Sequence, residues 1–74
     1  MKLTNLTTGN KAKIVYLSAK GDKRRRLLDL GLIPGTIIEA KRKSPSGDPT
    51  AFFIRGTTLA LRSEETDLIN VKKI

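Results

Sequence analysis

Apolar positions along this chain come in short alternating runs broken by turn-forming residues, and only one stretch carries a helical period. Leu3 and Leu6 lie three apart, with Thr4 or Asn5 able to cap a short turn between them. Thr8-Gly9-Asn10 signals a turn. Across Lys11 to Leu17, Ala12, Ile14 and Tyr16 alternate with Lys11, Lys13 and Val15. This predicts a strand that buries Ala12, Ile14 and Tyr16 on one face. Gly21-Asp22 ends it, and Asp22 is the expected N-cap of a helix over Lys23 to Leu30. Leu27 and Leu30 share a face with Leu28 beside them, and Gly31 is the expected left-handed cap.

The second half reads as hairpins. Pro34-Gly35 has the order a type II turn requires and launches a strand from Thr36 to Lys43. Ile37 and Glu39 point one way, Ile38 and Ala40 the other, which leaves the inward face open. Ser44 to Pro49 is a hairpin loop and Thr50 to Arg55 the return strand. Gly56-Thr57 fits a type II′ turn, which would pair Arg55 with Thr58, Ile54 with Leu59, Phe53 with Ala60 and Phe52 with Leu61. Of the adjacent Phe52 and Phe53 at least one must enter the core, and the other is a candidate contact residue. Ser63 can cap a single helical turn, with Glu64 and Glu65 near its positive end, and Ile69 and Val71 alternate in a last strand. The expected fold is mainly β: a small, partly open barrel of about five strands, with one short helix after the first strand and a helical turn before the last.

Composition narrows the chemistry. The 74 residues form one small domain, 1–74, and contain neither Cys nor His. Disulfides and thiolate or imidazole metal sites are thereby excluded, and so are the commonest catalytic groups. The seven carboxylates show no spacing of a hard-cation site, and the Gly residues form neither phosphate-binding motif. The expectation is no enzyme, no metal site and no cofactor. No apolar run approaches the roughly 20 residues that span a bilayer, and Met1 to Asn5 lacks a signal-peptide core. We therefore expect a cytoplasmic protein without direct membrane insertion.

Charge points to acidic partners. Fifteen Lys and Arg face seven Asp and Glu, a formal net charge of +8. One cluster, Lys20 to Arg26, includes Arg24, Arg25 and Arg26; a second is Lys41-Arg42-Lys43. Solvated faces or a charge-protected edge strand explain both without function. As functional groups they form the candidate partner-binding face. Three aromatic residues, Tyr16, Phe52 and Phe53, offer little for base stacking, so nucleic acid is disfavoured as the partner. An exposed edge strand or apolar patch could also pair two barrels.

Four strings together resemble the FeoA family. They are Leu3-Thr4-Asn5-Leu6-Thr7-Thr8-Gly9, Leu28-Asp29-Leu30-Gly31-Leu32-Ile33-Pro34-Gly35-Thr36, Lys43-Ser44-Pro45-Ser46-Gly47-Asp48-Pro49, and Ile54-Arg55-Gly56 followed by Leu59-Ala60-Leu61-Arg62. The resemblance covers nearly the whole chain in order. It implies an SH3-like barrel that serves bacterial ferrous-iron uptake by binding FeoB, a membrane permease with a cytoplasmic GTP-binding domain. It places the protein in the cytoplasm, or at the inner face of the membrane through that permease. Gly31, Pro34, Gly35, Pro45, Gly47, Asp48, Pro49 and Gly56 then read as turn scaffold. The alternative is a nucleic-acid-binding or metal-regulator-associated SH3-like module, as found at the end of metal-dependent repressors.

Overall fold

A computed structural model describes residues 1–74. The strands are β1 (Lys11–Leu17), β2 (Ile37–Lys43), β3 (Thr50–Ile54), β4 (Thr57–Leu61) and β5 (Ile69–Lys73). Helix α1 (Gly21–Asp29) follows β1, and α2 (Ser63–Thr66) is a single turn between β4 and β5. All strand pairs are antiparallel, and the order across the sheet is β4-β3-β2-β1-β5, open between β4 and β5. Every strand contributes to one cluster of 14 buried apolar residues, so the sheet curls over its own inner face. Phe52, Ile14, Ile38, Ile54, Leu61, Ile69 and Val71 are the large side chains from the strands. Leu3, the first residue of a 3₁₀ turn at Leu3–Asn5, and Leu6, just after it, enter the same cluster.

On β2, Ile38 and Ala40 are the inward pair, and Ile37 is exposed. Of the two adjacent aromatics, Phe52 fills the core and Phe53 faces outward.

Tyr16 departs from the expected alternation. It is 54% exposed. Ile14 pairs with Val71, but the next pair is Tyr16 with Asn70, so Val15 is an extra residue on β1. That bulge rotates Tyr16 to the outside and turns Leu17 toward the core. A second irregularity falls between Ala40 and Arg42 on β2.

Helix α1 begins at Gly21 and has no side-chain cap: Lys20 occupies the N-cap, so Asp22 sits inside the first turn instead of capping it. There its carboxylate meets the positive helix end. The C-terminus closes as expected around Gly31, at φ +94°. Leu32 N–H bonds the Leu27 carbonyl at 3.0 Å and Gly31 N–H that of Leu28 at 2.9 Å, the double bond of a Schellman cap. Both flanking leucines, Leu27 and Leu32, are buried. Thr36 N–H then bonds the Ile33 carbonyl at 3.0 Å across Pro34-Gly35.

The last hairpin turns one residue earlier than expected. Arg55 and Gly56 are its central residues, at φ +51° and +81°, a type I′ turn. Ile54 consequently pairs with Thr57, Phe53 with Thr58 and Phe52 with Leu59. The shift is two positions along the partner strand, so every residue keeps its side of the sheet. Thr4 and Ser63 do not cap locally either. Lys2 stands at the N-cap of the 3₁₀ turn, and the Thr4 hydroxyl bonds Thr66 and Asp67. Ser63 lies inside α2 and donates its N–H to Asp48.

Candidate docking surface

The cationic clusters sit on different elements, and Lys23, Arg24, Arg25, Arg26 and Lys43 line three separate hollows. The largest, of about 530 Å³, opens between α1, β4 and α2. Its apolar floor includes Leu27, Ala60 and Leu68, with Pro49 of the β2–β3 hairpin. Lys23, Arg26 and Arg62 bring positive charge to its walls, Glu64 and Glu65 negative charge. Arg24 and Arg25 lie round the helix in a second hollow with Leu28 and Asp29. Successive helical residues are about 100° apart, which separates Arg26 from Arg24. Lys43 lies elsewhere, beside Gly47, Asp48 and Thr50.

These cations differ in freedom. Arg26 is ion-paired with Glu65, which links α1 to α2. Glu65 also accepts the Arg62 N–H at 3.3 Å, so one carboxylate closes the start of α2 and anchors α1. Lys41 stands 3.6 Å from Glu39 and 5.4 Å from the centre of the Phe53 ring. Arg24, Arg25, Arg42 and Lys43 are exposed and have no ion-pair partner.

The hairpin from Ser44 to Pro49 is held to α2 rather than left projecting. Asp48 accepts the Ser63 N–H at 2.8 Å, the Ser63 hydroxyl at 3.4 Å, and lies 3.8 Å from the Arg62 guanidinium. Within the loop, Gly47 N–H bonds the Ser44 carbonyl at 2.8 Å. Pro45, Gly47 and Pro49 thus shape a loop that borders the large cleft through Pro49. Asp48 functions as a long-range helix cap. A sequence pattern reveals only local caps, so nothing in the string of letters marks this one.

The surface is suited to recognition. No group of three or more His, Cys, Asp and Glu could hold a metal ion. A cleft with an apolar floor and mixed charges on its walls can seat a peptide segment by shape and ion pairing. No helix is long and apolar enough to cross a membrane.

Three relatives place the chain among known proteins. It is 34% identical, over all of its 74 residues, to the Fe(2+) transport protein A/Fe(2+) transporter FeoB fusion protein of Porphyromonas gingivalis, of which it spans 9%. The solution structure of iron(II) transport protein A from Clostridium thermocellum superposes with a TM-score of 0.96 at 36% identity, covering 100% of this chain and 46% of that one. The zinc complex of Stenotrophomonas maltophilia FeoA, described as a prokaryotic SH3 domain protein, gives 0.86 at 28% identity, covering 97% and 89%. The FeoA domain matches residues 1–73. The five-stranded SH3-like fold and this match agree with the four sequence strings, and the chain belongs to the FeoA family, a family linked to ferrous iron transport.

Proposed function

We propose that this protein is a non-enzymatic accessory of ferrous-iron uptake that docks on the cytoplasmic side of an FeoB-type transporter and regulates it. The observation that carries this reading is the Porphyromonas gingivalis relative, whose name joins a transport protein A and an FeoB transporter in one fusion protein. Two partners that function together in one chain are natural partners when they occur apart. The Stenotrophomonas maltophilia protein, for which action as a bacterial ferrous iron transport activating factor has been suggested, is in line with a regulatory role.

The docking face is built on α1 and the large cleft. Arg24 and Arg25 are the primary contacts, because they are exposed and unpaired. Arg26 contributes through the cleft while holding Glu65. Lys41, Arg42 and Lys43 form a secondary contact at the end of β2.

A pull-down from solubilised membranes at about physiological ionic strength, after nuclease treatment, tests this reading. The native protein should recover the transporter. Arg24→Glu/Arg25→Glu, which spares the Arg26–Glu65 bridge, should lose it. Recovery by neither refutes the function; equal recovery by both refutes the face.

A further inference from the structure

The outer face of the sheet is a second surface, which meets the proposed docking face only at Lys41. Lys11, Lys13, Ile37, Phe53 and Lys72 all face away from the core. The register sets them side by side. Lys13 is opposite Lys72 on β5 and opposite Ile37 on β2; Lys11 is opposite Glu39, which is opposite Phe53. Lys41 lies over Phe53, and Arg55 leads the turn at the end of β3.

This arrangement sorts charge. Four cations, Lys11, Lys13, Lys41 and Lys72, surround a single carboxylate, Glu39, already paired with Lys41. The other six carboxylates lie on α1, the β2–β3 hairpin, α2 or just after it. Between the cations stand exposed apolar side chains: Ile37 is 43% exposed, Val15 50% and Phe53 38%.

We infer that the outer sheet face docks on an anionic lipid surface. Two features favour lipid over a nucleic-acid backbone. The apolar centre is mainly aliphatic, Val15 and Ile37, which suits the boundary between headgroups and acyl chains but not base stacking. The face also carries two aromatic rings: Phe53, whose face is covered by Lys41, and Tyr16, whose amphipathic ring suits a headgroup boundary. Like-charged Lys13 and Lys72 set opposite each other weaken the sheet, and an anionic surface would relieve that repulsion. The inference is independent of the transporter reading, since a vesicle contains no transporter.

The test is vesicle co-sedimentation of the full chain. One set of vesicles is phosphatidylcholine alone; the other contains about one-third phosphatidylglycerol, a typical anionic load. Binding is expected only to the second, and should be lost between about 0.1 M and about 0.5 M salt. Each surface cation contributes about fivefold to partitioning, so Lys13→Glu/Lys72→Glu should lower it at least about 30-fold. Lys13→Gln/Lys72→Gln avoids new negative charge, relieves the Lys13–Lys72 repulsion so that it should melt no lower than the native protein, and should still lose more than about tenfold. Arg24→Glu/Arg25→Glu makes the same change in net charge on another face and should retain most binding. No binding to anionic vesicles, or equal loss from the α1 and sheet variants, would overturn the assignment. So would displacement of the vesicles by a single-stranded oligonucleotide at lower concentration than by anionic lipid, which would make the face a phosphate-backbone site.

Discussion

Removing the Asp48 carboxylate tests how the hairpin and α2 are held together. Asp48→Ala deletes the acceptor of the Ser63 N–H, at 2.8 Å, and of the Ser63 hydroxyl, at 3.4 Å. It also deletes the partner of Arg62, at 3.8 Å, whose side chain is 61% exposed. A helix-capping bond of this kind is worth about 1 kcal/mol. The ion pair adds only about 0.2–0.5 kcal/mol, because water and salt screen it. The expected loss is therefore about 1–1.5 kcal/mol. In a domain of this size, each kcal/mol moves the melting midpoint by about 4–8 °C. Circular-dichroism melts of the native protein, Asp48→Ala and Asp48→Asn measure it. Asp48→Asn keeps an oxygen acceptor without the charge and should lose roughly half as much. Exchange of the Ser63 amide should accelerate in Asp48→Ala while amides of β1 stay protected. An unchanged midpoint for Asp48→Ala, or a larger loss for Asp48→Asn than for Asp48→Ala, would refute the capping account.

Three further substitutions probe separate parts of the fold. Phe52→Ala removes the largest side chain of the core and should cost about 3–5 kcal/mol, enough to leave the protein largely unfolded in a denaturant or thermal titration. Arg55→Asn places a residue tolerant of positive φ where Arg55 sits at +51°, before Gly56, and should raise stability by about 0.5–1 kcal/mol in the same titration. Glu65→Ala unpairs Arg26 and frees the Arg62 N–H, and should lower stability by about 1 kcal/mol, with faster amide exchange in α2.

Local rules found most of the fold and little of the docking surface. The short alternating runs predicted every strand, because burial on one face imposes a period of two. Gly31 and the Pro34-Gly35 turn were legible because their conformations are set within a few residues. Tyr16 misled because one extra residue, Val15, reverses the alternation, and a bulge has no strong residue signature here. The last hairpin misled because Arg55 at positive φ is an uncommon choice for a type I′ turn, so Gly56-Thr57 looked better than Arg55-Gly56. Lys11 and Lys13 were legible as outward-facing, but their neighbours Lys72 and Ile37 required the strand register. The pairing of Arg26 with Glu65 spans two helices remote in sequence, and it divides a run of three arginines that looked uniform.

The central claim is that Arg24 and Arg25 belong to a face that binds an FeoB-type transporter. Its most direct test is a titration of the native protein and Arg24→Glu/Arg25→Glu against the purified full-length transporter of the source organism, followed by calorimetry. The account predicts saturable binding by the native protein and at least about a tenfold weaker Kd for the variant, the loss of two interfacial charge contacts at about 0.7 kcal/mol or more each. Absence of binding by the native protein, at concentrations where it remains folded, would contradict the account.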